Sequence, residues 1–147
     1  MQGKSILLVS TISIIFSVIV VGAYVTVAGY GDACGSSVPR DWPGCLGGWF
    51  PPPQIGPVME YTHRILAALS TLFLFVTTAV FWRAKDAQPG AKKVLAIACV
   101  LLVAQVLLGG AVIAQTEQAV LVAAHQGLAI LTFGVAVAAY TIARRPA

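Results

Sequence analysis

The chain has 147 residues, 59% hydrophobic and 10% charged, with a mean hydropathy of +0.89. No soluble domain of this size reads that way, and the class is an all-α polytopic membrane protein. The net charge of +4 is not a nucleic-acid signal, because the cations sit at helix ends.

A membrane-spanning helix needs about 20 mostly apolar residues, and four runs qualify. The first covers roughly residues 5–28 and follows Lys4. Its apolar stretch of about 24 residues exceeds a signal-peptide core, so it is expected to persist as a true span. A long polar loop, residues 29–57, comes next. It holds Cys34 and Cys45, where a bridge would stiffen the segment more than hold the fold. Trp42, Trp49 and Phe50 suit a membrane interface, and Pro51 to Pro53 stiffen the chain. A mere connector would be far shorter, so a lid over a pocket is expected.

The second run, residues 58–82, carries Glu60, His63 and Arg64 near its start, and Arg83, Lys85, Lys92 and Lys93 crowd the segment after it. The third, residues 94–114, contains Cys99, Gln105, Gly109 and Gly110, with Cys99 read as a small buried apolar residue. The fourth, residues 119–143, contains His125 and Gln126 and is followed by Arg144 and Arg145. Basic residues accumulate on the cytoplasmic side. Both termini are therefore expected on the cytoplasmic side of the cell membrane and the cysteine loop on the extracytoplasmic side, in one transmembrane domain spanning residues 1–147.

The two halves repeat weakly. Val20-Val21-Gly22-Ala23 aligns with Leu107-Leu108-Gly109-Gly110 at an offset of 87, and His63-Arg64-Ile65-Leu66-Ala67 with His125-Gln126-Gly127-Leu128-Ala129 at an offset of 62. Both hairpins enter from the same side, so the repeat is parallel, with its axis along the membrane normal. That symmetry predicts His63 and His125 at matching depth, His125 about 10 Å into its helix at 1.5 Å rise per residue. Gly22, Gly109 and Gly110 would let a flat cofactor or a neighbouring helix approach, ordinary small-residue packing being the plainer reading of any single one.

An imidazole in hydrocarbon is costly without a partner. Two symmetric imidazoles inside a four-helix bundle point to an axially ligated haem iron. Glu60 shares a helical face with His63, and the Glu-x-x-His spacing also occurs in di-iron bundles. The repeat-related position is Val122, which argues against two irons. Glu60 is left as a proton-transfer group, a partner for a porphyrin substituent, or one half of an ion pair with Arg64. Arg64 suits either a haem propionate or the lipid headgroups. Gln105 and Gln126 are polar groups in an apolar setting and need partners. A thiol oxidase is disfavoured because the chain has no Cys-x-x-Cys.

Glu60-Tyr61-Thr62-His63-Arg64, Asp41-Trp42-Pro43-Gly44-Cys45, and Gln105-Val106-Leu107-Leu108-Gly109-Gly110 followed by Ala124-His125-Gln126 together resemble the haem A synthase family. The resemblance covers nearly the whole chain in the same order. It implies an enzyme that oxidises the C8 methyl group of haem O to the formyl group of haem A, for the terminal oxidases. On that resemblance His63 and His125 are axial ligands of haem B or haem O, Glu60 is the essential acid, and Cys34 and Cys45 are a loop pair able to form a disulfide. It also implies haem O as substrate, an unidentified electron donor, haem O synthase as a partner, and membrane lipid around the bundle. Family members usually have two four-helix halves with a histidine pair in each. With one pair here, either copies of the chain assemble as a homo-oligomer or a single pocket serves the substrate. A membrane b-type cytochrome that only transfers electrons is the alternative reading.

Overall fold

The computed structural model describes residues 2–37, 40–115 and 118–145; Val38 and Pro39 of the expected loop lie outside the described residues. Four helices account for most of the chain: α1 (Gln2–Val27), α2 (Ile55–Arg83), α3 (Pro89–Ala114) and α4 (Ala119–Ala143). Each is long and apolar enough to cross a membrane. Large side chains such as Phe16, Leu72, Val100 and Ile130 remain on the bundle's exterior, where lipid is their natural solvent.

α4 keeps the bounds read from hydropathy, while the other three helices begin earlier. α3 starts at Pro89, because proline at the first helical position lacks only an N–H that the helix leaves unpaired anyway. Lys92 therefore lies inside α3 and turns back to α2, its Nζ donating to the Ala84 carbonyl at 2.8 Å and the Trp82 carbonyl at 3.4 Å. A cation on the unpaired carbonyls at a helix C-terminus is favourable. Lys4 Nζ meets Asp86 Oδ1 at 2.5 Å, fixing the start of α1 to the same α2–α3 connection.

The helices form a square. α1 packs on α2, α2 on α3, α3 on α4 and α4 on α1, and the backbones of the diagonal pairs do not approach closely. At the end that holds the chain termini, Leu8, Leu74, Phe81 and Leu95 fill the centre together with Ala91, Ala98 and Ala139. Small residues here let backbones approach closely. Toward the loop end the centre opens into a cavity.

The repeat is visible in what each helix buries. Leu8, Thr11 and Ile15 of α1 are buried, and so are Leu95, Ala98 and Leu102, their counterparts in α3. Ser70, Leu74 and Thr77 of α2 are buried, as are Thr132, Ala136 and Ala139 of α4. The halves differ where the first is polar: Thr11 Oγ1 and Thr77 Oγ1 share a hydrogen bond of 2.7 Å, at the place where the second half sets Ala98 and Ala139. Each hydroxyl has a partner, which a buried polar group in an apolar bundle requires.

Leucine at Ala98 or Ala139, both fully buried, should overpack the crossing and cost about 1–3 kcal/mol. Val100→Leu on the exterior should stay within about 0.5 kcal/mol of the parent. Thermal unfolding in detergent ranks the three.

Candidate functional site

The cavity has a volume of about 450 Å³ and is lined by all four helices, with Gly31 and Trp42 of the loop at its mouth. His63 and His125 both line it. Each imidazole is seated on a glycine of its own hairpin. A methyl group built on Gly22 would lie 2.7 Å from His63 Cε1, and one on Gly109 would lie 2.9 Å from His125 Cε1. The two glycines that aligned in the repeat thus make room for the two histidines that aligned. Gly110 has no such neighbour, since a methyl there meets nothing within 4 Å.

The backbone repeats the pattern. The Val18 carbonyl faces His63 and the Gln105 carbonyl faces His125, each one helical turn before its glycine. Nδ1 of both rings is buried and falls short of a completed hydrogen bond. A ring nitrogen turned toward a carbonyl biases the proton to that side and leaves the other nitrogen as the potential metal ligand. His125 has one more neighbour: its Nε2 lies 3.1 Å from the Gln105 side-chain amide nitrogen.

Glu60 is buried at the loop end of the cavity. Its Oε2 accepts the Cys34 backbone N–H at 2.6 Å, and its Oε1 accepts from Arg64 Nη2. Arg64 Nη1 donates to the Asp41 carbonyl at 2.7 Å and the Gly44 carbonyl at 2.8 Å. The guanidinium is thus enclosed by Glu60 and the loop, rather than extended to lipid headgroups. Its Nε is buried without a partner.

Cys34 and Cys45 are joined by a disulfide. The loop folds over the cavity mouth through contacts that the individual residues did not announce. Asp41 is buried; its carboxylate accepts the Ser37 N–H at 3.1 Å and the Arg40 guanidinium at 3.0 and 3.1 Å. The Arg40 hydrogen bond holds the Asp41 carboxyl below the usual carboxylate range. Stability from this pair is therefore complete above the ordinary carboxylate pKa and fades only as pH falls through the lowered one. Gly35 has φ +87°, and a methyl on it would sit 2.5 Å from Asp41 Oδ2; only glycine serves both demands. In the sequence Asp41 was marked only as part of Asp41-Trp42-Pro43-Gly44-Cys45, with nothing to show that its carboxylate is buried. Ser70 and Thr71, which line the cavity, were legible only as polar groups inside an apolar helix.

The cavity suits a flat, largely apolar ligand that carries a metal and polar substituents. Among the described residues no cluster of three or more His, Cys, Asp or Glu could enclose a bare ion. His63 and His125, which line the cavity from different hairpins, are the residues that could hold a metal carried by such a ligand. The buried orphan atoms His63 Nδ1, His125 Nδ1, Gln105 Oε1 and Arg64 Nε are the polar features such a ligand would meet, directly or through ring reorientation.

Comparison with known proteins gives a consistent picture. A family model described as cytochrome oxidase assembly protein, COX15-CtaA, matches residues 5–147. The chain is similar to a protein named Heme A synthase from Bacillus licheniformis, 29% identical over 130 residues, covering 88% of this chain and 41% of that protein. The protein of that name from Geobacillus kaustophilus is 31% identical over 127 residues, covering 84% of this chain and 38% of its own length. For that from Bacillus pumilus the figures are 30% over 129 residues, 87% and 41%. The chain thus spans about two fifths of the length of the curated relatives it matches.

Gly22→Ala must displace the His63 ring and should cost about 1–3 kcal/mol, with Gly109→Ala somewhat less. Gly110→Ala, with open space around it, should be neutral or slightly stabilising. Thermal unfolding in detergent, read side by side, checks the order.

Proposed function

The chain belongs to the COX15-CtaA family of cytochrome oxidase assembly proteins, and from that membership we propose that it acts as a haem A synthase. In this reading the C8 methyl group of haem O is hydroxylated twice. Each time it takes one oxygen atom from dioxygen, while the other leaves as water with two electrons from the donor and two protons. The resulting geminal diol loses water to give the formyl group. His63 and His125 hold the haem by its iron, one from each hairpin. The haem, when bound, supplies the redox chemistry that no side chain here can perform.

The chain's own groups orient and protect the reacting region. The four helices exclude water, and Trp42 and the disulfide-linked loop cover the mouth. Arg64 Nε, buried and unpartnered, is a donor for a propionate. Glu60 holds or moves a proton at its carboxylate oxygens, or steadies charge developing at the reacting carbon. The loop takes the extracytoplasmic side, with both termini in the cytoplasm, following the cluster of Arg83, Lys85, Lys92 and Lys93 at the opposite end. The electron donor, haem O synthase as supplier, and further copies of the chain complete the proposed set of partners.

The observation that carries this reading is the buried carboxylate of Glu60, lining the same cavity as both imidazoles. Glu60 also anchors the loop through Arg64 and the Cys34 N–H, and this reading adds a chemical role to that structural one. An electron-transferring b-type cytochrome remains the second reading, favoured by the pairing itself, because iron with two histidine ligands has no open position.

Co-expression with a source of haem O, followed by chromatography of the extracted haems, separates the two. Haem A or its hydroxylated precursor is expected from the parent chain, and a loss of about 10²-fold or more from Glu60→Gln. Bound haem with no conversion would leave the cytochrome reading. His125→Ala should lose tight haem retention, and a full haem complement with an unchanged spectrum in that variant would sink the ligand assignment.

A further inference from the structure

The two histidines are seated alike but are not partnered alike. The Gln105 side chain reaches His125 Nε2 at 3.1 Å, whereas the repeat-related position facing His63 is Val18, whose side chain has nothing to offer a ring nitrogen. Whichever way the amide is turned, the contact occupies Nε2. If the amide N–H donates, it takes the lone pair that would bind a metal; if Oε1 accepts, Nε2 carries the proton. Either state competes with coordination.

The helices carrying the two rings also differ. α2 is tied to the loop by Glu60 on the Cys34 N–H and by Arg64 on the Asp41 and Gly44 carbonyls. In α4 the equivalent positions are Val122 and Gln126, and neither makes such a tie among the described residues.

We infer that His125, and not His63, is the exchangeable member of the pair, and that Gln105 is the positioning residue that receives it. The inference rests on the haem-binding reading above. It also answers the objection that an iron with two fixed ligands has no site for a further one. His63 stays fixed on the side of Glu60 and Arg64, while His125 passes between the metal and Gln105 as one hydrogen bond forms and another contact is given up. With the amide N–H donating to Nε2, the exchange transfers no proton and no electron.

The test uses the full chain purified with bound haem, reduced, and probed with carbon monoxide, which requires an open coordination position. Parent protein should show a five-coordinate, high-spin fraction and bind carbon monoxide readily. Gln105→Val, which writes the first-half residue into the second half, should shift the spectrum to six-coordinate low-spin. It should also slow carbon monoxide binding about fivefold, the equivalent of one net hydrogen bond. Val18→Gln gives an independent reading should Gln105→Val fold poorly: an amide beside His63 should loosen the second ligand and speed haem loss.

A Gln105→Val protein with the parent's spin state and binding rate would overturn the inference while leaving haem binding intact. So would a Val18→Gln protein that retains haem as the parent does. A parent chain that binds no haem would overturn the underlying reading, and the inference with it.

Discussion

Everything in this bundle is arranged around the contact between each imidazole and a glycine of the neighbouring helix. A histidine ring placed in hydrocarbon must be accommodated sterically and electrically at once. Gly22 and Gly109 solve the first problem by removing a methyl that would stand under 3 Å from the ring. The Val18 and Gln105 carbonyls, one turn earlier on the same helices, face the rings without completing a hydrogen bond to either Nδ1. Because the solution is written twice, in α1–α2 and in α3–α4, the rings come to the same cavity from opposite hairpins.

That constraint divides the bundle in two along its axis. Where Ala91, Ala98 and Ala139 face the centre, the helices close and exclude everything. Where the histidines face it, the helices cannot close, and a cavity of about 450 Å³ remains. The open end needs a cover, and the loop supplies one. Its attachment is electrostatic: Glu60 and Arg64, both on α2, accept and donate to the backbone at Cys34, Asp41 and Gly44. A buried ion pair is weak evidence for stability by itself, because desolvation offsets its attraction. Here the pair earns its place by satisfying three backbone groups of a loop whose described residues form no helix or strand to pair them.

The halves have diverged around the shared plan. The first has Glu60, Arg64, the disulfide loop and the Thr11–Thr77 hydrogen bond; the second has Val122, Gln126, Ala98 and Ala139 in the corresponding places. Gln105 runs the other way, a polar residue in the second half where the first has Val18. A symmetric frame with asymmetric polar groups can hold a ligand from two sides and treat its two faces differently.

The spans, the repeat and the histidine pair were legible in the sequence, because hydrocarbon leaves a chain few choices. About 20 apolar residues must be helical, and a polar group among them stands out. The lengths of α1, α2 and α3 were less legible, since Pro89 and the lysines behind it obey helix-terminus chemistry rather than hydropathy. The role of the glycines was not legible at all: in sequence, Gly22, Gly109 and Gly110 are equivalent small residues, and only packing shows that two of them lie against a ring and the third faces open space. The same holds for Arg64, whose side chain could as well have reached lipid, and for Asp41, whose burial depends on how the loop folds over Gly35. The sequence by itself determined which polar residues the bundle had to enclose, because transfer free energy is a property of each residue. Only the tertiary structure decided which partners they found, because hydrogen bonding and close contact belong to pairs brought together from distant parts of the chain.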